Sequence, residues 1–292
     1  MLVVGAGGQV GGALMARLAA RAVGTWRRPP PGSLELDLEQ VALHPELADA
    51  VVQRSAASLV MVSAGMTNVD ACEDAPLQAA RVNSVGPARL AGAARRAGAR
   101  TIFFSTDYVF DGNHGPYGEE DETRPLSVYG RTKSDGEAAV LDADPAALVL
   151  RTTVVYGPEA HGRNFAYQVA ARLQRGEAVT AAVDQISTPT YNIDLSEATV
   201  ALVDAAAVGV VHVAGPELLD RVAFARRLAE AMGFDPGRVE GRPTAALGQR
   251  AGRPLSAGLA ITRLRRLLPG FEPRTVEDAL AHWPAVAPVP WR

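Results

Sequence analysis

The chain has one cysteine, Cys72, in 292 residues, so no internal disulfide framework is possible and a reducing, cytoplasmic setting is expected. Neither sign of charge dominates: the formal net charge is −3, which gives no basic field for nucleic acid. The longest apolar runs break within about ten residues, too short to span a bilayer, so no membrane partner is expected. No charged segment followed by an apolar one opens the sequence, so no signal peptide is expected. The five histidines, at positions 44, 114, 161, 212 and 282, show no metal-ligand spacing, and none is assigned to a metal. With 48% apolar and 21% charged residues, what remains is an ordinary globular composition with room for a sizeable core in one large or two modest domains.

Leu2-Val3-Val4 is short, apolar and β-branched, and predicts a buried strand. Ala13, Leu14 and Leu18 continue at helical spacing to about Arg21. Further strands are expected at 22–26, 59–62, 101–104 and 147–150, with helices at 74–97 and 127–141. Strands alternating with helices predict a parallel sheet covered on both faces, an α/β fold. Arg27-Arg28-Pro29-Pro30-Pro31-Gly32 reads as a loop, because three prolines cannot sit in a helix interior. After Tyr156-Gly157-Pro158 the pattern loosens, with Pro189, Pro216, Pro236, Pro243 and Pro254 cutting it into pieces. Helices are expected near 194–207 and 220–232, and Val210-Val211-His212-Val213 is expected to rejoin the first sheet. The proline-rich tail from Trp283 to Arg292 is expected on the surface.

Between the first strand and helix lies Gly5-Ala6-Gly7-Gly8-Gln9-Val10-Gly11. Gly5, Gly8 and Gly11 have the spacing of a dinucleotide-binding turn. The first permits a tight turn, the second lets backbone approach a pyrophosphate, and the third packs helix on strand. The helix start then offers free N–H groups, Gln9 and Val10 included, to the anion. The second strand ends at Arg27-Arg28, where enzymes that prefer the unphosphorylated cofactor usually place an acid. Two guanidiniums suit a ribose 2′-phosphate, so NADP(H) is expected over NAD(H), with NAD(H) possible. Asp37 and Leu38 are expected near the adenine. The architecture implied is a Rossmann-type doubly wound sheet. Residues 1–155 would form the NADP-binding domain, 190–214 would return to it, and 156–292 would form a smaller C-terminal α/β substrate lobe.

Tyr129 and Lys133, in Val-Tyr-Gly-Arg-Thr-Lys, are spaced i, i+4 and share one helix face. A phenol normally ionises near ~10 and is inert at neutral pH, while a cation beside it favours the phenolate and brings its pKa towards a usable range. The glycine turn, the string from Ser105-Thr106-Asp107-Tyr108 to Asp111-Gly112, and Tyr129 to Lys133 together resemble an extended short-chain dehydrogenase/reductase of the dTDP-4-dehydrorhamnose reductase type. The likeness covers nearly the whole chain and includes Thr67-Asn68-Val69-Asp70, Glu119-Glu120-Asp121, Asp184-Gln185, Thr188-Pro189-Thr190 and Arg253-Pro254.

The resemblance implies reduction by NADPH of the C4 keto group of a nucleotide-linked 4-keto-6-deoxysugar. Tyr129 would give the proton, Lys133 would keep the Tyr129 pKa low and bond the nicotinamide ribose, and Thr106 would donate to the same carbonyl oxygen. Asp107 would contact the sugar, and Gly65, Met66 and Thr67 would run beside the cofactor. Arg253 would meet the diphosphate, and Gln185 or Thr190 would line the nucleotide.

The chain departs from the family pattern at three positions. Ala13 and Asn192 stand where some members place the acids of a magnesium site that joins a dimer, so a monomer or weak homodimer without magnesium is expected. Val154 stands where typical members place a tryptophan near the substrate. A second resemblance, to the regulatory β subunit of methionine adenosyltransferase, rests on Arg27-Arg28, Asp111-Gly112 and Pro116-Tyr117 through Asp121. It implies an alternative function as an NADP-binding regulatory partner of another enzyme.

Overall fold

The computed structural model describes residues 1–30 and 33–291; Pro31 and Gly32 of the proline loop and Arg292 of the tail lie outside the described residues. Seven parallel strands form the central sheet: β1 (Leu2–Val4), β2 (Val23–Trp26), β3 (Leu34–Glu35), β4 (Leu59–Val62), β5 (Arg100–Thr106), β6 (Leu148–Thr152) and β7 (Gly209–His212). Their order is β7-β6-β5-β4-β1-β2-β3, so the winding reverses between β1 and β4. In open α/β sheets, ligands bind outside the carboxyl ends of the strands at such a reversal.

The strands bury both faces, and the two-residue period of a strand divides them between two cores. Val3, Met61, Ile102, Phe104, Leu148 and Leu150 point one way. They meet Leu14 and Leu18 of α1 (Gln9–Leu18) on that side. Leu2, Val4, Val60, Val62, Phe103 and Val149 point the other way. On that side α2 (Leu38–Leu43), α3 (Glu46–Ser55), α6 (Gly86–Arg96) and α7 (Val128–Ala143) cover them. Between α3 and α6 come α4 (Val69–Asp74) and α5 (Pro76–Ala80), and α5 runs into α6 through a π-helical turn, Arg81–Val85. The single helix expected over 74–97 is therefore interrupted, at Asn83 and before Gly86-Pro87.

The second lobe has a core of its own. Tyr156, Tyr191, Phe224 and Trp283 are buried there with α8 (Phe165–Gln174), α10 (Arg221–Ala231) and α12 (Val276–Val286). A parallel strand pair, Val179–Ala182 with Val239–Arg242, lies beside them. The chain returns to the first unit twice. It does so as α9 (Asn192–Asp204) leading into β7, and again where Leu259, Ile261 and the Leu264 of α11 (Thr262–Leu267) join the first core. The tail is exposed or half-buried from Pro284 to Trp291, as expected, whereas Trp283 at its start is 0% exposed, with Tyr167 at 5.5 Å and Trp291 at 5.1 Å between ring centres. Pro284 sits in the last turn of α12 rather than ending it before the tryptophan.

Trp283→Ala should cost about 3–5 kcal/mol, the usual range for a large buried side chain. Chemical denaturation checks this, and an unchanged midpoint would contradict the burial.

Candidate active site

The loop after β1 is shaped by what its glycines leave out. Gly5 has φ +88°, and a Cβ on Gly11 would lie 2.1 Å from the Gly5 carbonyl oxygen. Gly8 is the N-cap of α1 and supplies no side-chain cap, and no acid occupies the first turn. The N–H groups of Gln9, Val10 and Gly11 therefore have no intrahelical acceptor. The side-chain Nε2 of Gln9 is buried without a partner among the described residues. These features fit a pyrophosphate at the helix start. Arg27 and Arg28 follow β2 and are exposed beside this loop. Asp37 accepts from the Glu39 amide at 2.8 Å as the N-cap of α2. The Leu38 side chain is packed in the core on one face of the sheet.

Thr106 ends β5, and Tyr129 and Lys133 lie on α7, all three buried. Ser127 caps α7 by accepting from the Gly130 amide at 3.1 Å. The Thr106 hydroxyl lies close to the Tyr129 phenol and donates to Asp107, and the Tyr108 ring meets the Tyr129 ring edge-on at 5.5 Å. Burial pushes the Tyr129 phenol well above its ordinary pKa, the nearby Thr106 hydroxyl opposes that, and Asp107 adds to it. The structure does not bear out an ammonium held against this phenol. Lys133 donates to the Phe104 carbonyl at 2.5 Å and lies 3.8 Å from the centre of the Phe103 ring. A buried ammonium needs acceptors, and a carbonyl and a ring face supply them better than a protonated phenol. Burial brings the Lys133 pKa down to about 7, with Glu137 opposing the shift.

Asn83, Glu73 and Asp74 carry no expected role in the sequence, and Asp70 appears there only within a family string. Asn83, in the π-helical turn, accepts from the Met66 amide at 2.8 Å and donates to the Met66 carbonyl at 3.1 Å. Its amide also reaches the Thr132 hydroxyl at 3.2 Å, tying the segment after β4 to α7. Gly65 and Thr67 are exposed beside this anchor. A polar amide followed by Gly86-Pro87 inside an alanine-rich helix was the available signal. The three acids of α4 act on four neighbours. Asp70 accepts from the Ala251 amide at 3.0 Å and from Arg253 at 3.1 Å. Glu73 accepts from the Val128 amide at 2.8 Å, and Asp74 pairs with Arg250.

Asp107 is 4% exposed and accepts from Thr106 at 3.0 Å and Thr153 at 2.7 Å. Burial raises its pKa from 3.8 to about 6, against both hydroxyl bonds and the charge of Arg221. Val154 follows with φ +42°, a left-handed backbone that β-branched residues rarely adopt. Gln185 donates to the Thr244 hydroxyl at 3.0 Å and to Gln249 at 2.7 Å, so its amide is already engaged. Thr190 donates back to the Thr188 carbonyl at 3.2 Å. The structure thus gathers Thr106, Asp107, Tyr129 and Lys133 at one sheet edge, while Gln185 and Thr190 serve the second lobe's own loops.

Residues 1–286 match the model of the family described as RmlD substrate binding domain. The chain belongs to that family. It is 38% identical over 291 residues to a dTDP-4-dehydrorhamnose reductase of Mycobacterium tuberculosis, covering 97% of this chain and 89% of the relative. A dTDP-4-keto-6-deoxy-D-glucose reductase of Streptomyces niveus is 38% identical, over 67% of this chain and 68% of the relative. The crystal structure of a dTDP-4-dehydrorhamnose reductase from Bacillus anthracis, in complex with NADP, superposes with a TM-score of 0.87 at 25% identity, covering 98% of each chain.

Within the family framework, two departures are now placed. Ala13 is buried in α1, and Asn192, at the start of α9, donates to the Pro158 carbonyl at 2.6 Å. Among the described residues no helix is long and apolar enough to cross a membrane.

Asp107 carries a stability prediction. Its folded carboxyl binds a proton more tightly than the unfolded one, so its contribution falls as pH rises between about 4 and about 6. Above that window the ionised group costs on the order of 1–3 kcal/mol. Asp107→Asn should be more stable than the parent at pH 7, with the advantage fading towards pH 4. Urea denaturation across that range would contradict this if the two proteins kept a constant difference.

Proposed function

We propose that the chain is an NADPH-dependent reductase of the C4 keto group of a nucleotide-linked 4-keto-6-deoxysugar. The observation that carries it is the buried Thr106–Tyr129 pair at the end of β5, on the same sheet edge as the uncapped start of α1. The reductase activities of the relatives support the same reading. A regulatory subunit would need the nucleotide cleft but has no use for a desolvated proton donor beside a second hydroxyl.

The nicotinamide, when bound, supplies hydride to the carbonyl carbon. The chain's own groups do the rest. The N–H groups of Gln9, Val10 and Gly11 hold the pyrophosphate, and Arg27 with Arg28 holds the 2′-phosphate, so NADP(H) is preferred while NAD(H) is accepted. The segment Gly65-Met66-Thr67, fixed by Asn83, runs along the cofactor. Tyr129 delivers its proton to the carbonyl oxygen. A developing alkoxide is far more basic than a phenol, so a raised phenol pKa does not prevent transfer. Thr106 gives its hydrogen to Asp107 in this structure, and a more basic alkoxide would draw it over as a second donor. Lys133, near its midpoint at neutral pH, bonds the nicotinamide ribose and supplies positive charge when protonated. The domain division near 155, a cytoplasmic setting, and a monomer or weak homodimer without bridging magnesium or nucleic acid belong to the same proposal.

Tyr129→Phe should lower NADPH oxidation with a dTDP-4-keto-6-deoxyhexose by about 10²–10⁴-fold, the usual worth of a positioned acid, while cofactor binding stays intact. Reduction at the parent rate would refute the acid assignment. Replacing Arg27 and Arg28 together by Ala should weaken NADPH binding about tenfold or more and leave NADH binding nearly unchanged. Equal binding of both cofactors by the parent, unaltered in the variant, would remove the basis for the preference.

A further inference from the structure

Gly7 falls outside the dinucleotide spacing of Gly5, Gly8 and Gly11, and a tryptophan accounts for it. A Cβ on Gly7 would stand 2.7 Å from Cδ1 and 2.9 Å from Nε1 of the Trp26 indole. The other end of the same ring lies over Gly24 of β2, where a Cβ would stand 2.6 Å from Cη2. Neither glycine has a positive φ, so it is the space they leave that matters, and the indole fills it. Trp26 thus runs back along β2 with its N–H edge against the turn after β1. Its backbone is pinned on both sides: the Ala6 amide donates to the Thr25 carbonyl at 3.0 Å, and the Leu36 amide donates to the Trp26 carbonyl at 2.9 Å. The side chain is half-buried, packed against the first core, and Arg27 and Arg28 follow it, both exposed.

The end of the second strand is where a dinucleotide fold reads the ribose of its cofactor. An indole N–H donates and cannot accept. That suits a phosphate oxygen, which only accepts, and does not replace the carboxylate that usually takes a 2′-hydroxyl. We propose that Trp26 determines cofactor specificity, its Nε1–H donating to the ribose 2′-phosphate. The ligand is that of the NADP(H) reading above, whereas the orientation of the indole is independent of it. Arg27 and Arg28 supply charge on exposed, rotatable side chains, and Trp26 supplies a donor of fixed direction. A ring serving the core alone has no need to turn its polar edge to the turn. Here the N–H edge meets Gly7 and the benzene edge lies back over Gly24. The ring also takes the room that a side chain at position 7 would need, so the turn and the end of β2 form one surface. The unpartnered Nε2 of Gln9 is a second side-chain donor in the same turn.

The test uses the full chain and two probes, adenosine 2′,5′-bisphosphate and 5′-AMP, which differ only in the 2′-phosphate. By calorimetry the parent should bind the bisphosphate about 100-fold more tightly. Trp26→Phe keeps a ring and loses the N–H, and should cut that preference about tenfold, the usual worth of a hydrogen bond to a charged group. Its affinity for 5′-AMP should not move, which certifies the turn. Gly7→Ala, whose Cβ would displace the indole, should cut the preference similarly in the parent and add little in Trp26→Phe. Trp283 and Trp291 belong to the second lobe, so the bisphosphate should change tryptophan emission in the parent and not in Trp26→Phe. A Trp26→Phe protein with the parent's preference would overturn the role of Trp26 and leave the NADP(H) reading standing. Equal affinity of the parent for the two probes would defeat the NADP(H) reading, and the role of Trp26 with it.

Discussion

Helix α7 lies closer to its neighbours than any side chain would permit, and the site depends on that approach. A Cβ on Gly130 would stand 2.2 Å from the Tyr108 carbonyl oxygen, and one on Gly136 would stand 2.2 Å from that of Asn83. Tyr129 and Lys133 lie between or beside these two contacts, so the helix cannot shift outward without losing both. The first contact fixes the phenol against the strand end that carries Thr106. The second fixes the ammonium beneath Phe103 and Phe104. Displacements of about 1 Å in such arrangements are enough to cost orders of magnitude in rate, which explains why two positions on one helix are reduced to a hydrogen.

Close packing also removes water, and the charges respond to its loss. Lys133 is brought towards neutrality and Asp107 towards its protonated form by the same cause. One turn beyond Lys133, Glu137 and Arg151 form a closed, buried pair, with contacts of 2.9, 3.1 and 2.7 Å. The contrast is informative. The closed pair holds α7 to β6 and leaves no charge over, while the groups nearer the cleft are each partly satisfied and titrate near neutrality. Ionisable side chains kept in that state cost stability and are retained where chemistry needs them.

The sheet was legible because buried parallel strands are short, apolar and β-branched, and Leu2–Val4, Leu59–Val62 and Leu148–Thr152 satisfy that rule locally. Tyr129 and Lys133 were legible as a spacing, and Thr106 through its family motif. What was not legible depended on partners distant in sequence. Lys133 shares its helix face with Tyr129, yet its acceptor is a carbonyl 29 residues away. Asp70 looks like an ordinary helix acid until the loop 183 residues later is folded onto it. Leu38 next to an N-cap acid gives no sign of facing inward, and Trp283 heads a proline-rich tail although it is the largest buried side chain of the second core. Val154 carries no sequence signal for its left-handed backbone.

The second lobe is not a contiguous stretch of chain. Its core draws on Tyr156, Phe224 and Trp283, and between these the backbone twice goes back to complete the first unit. A lobe assembled this way cannot be exchanged as a cassette between relatives, because cutting it out would also remove α9, β7 and α11. New substrates must therefore be reached by substitution in place, one side chain at a time on a fixed frame.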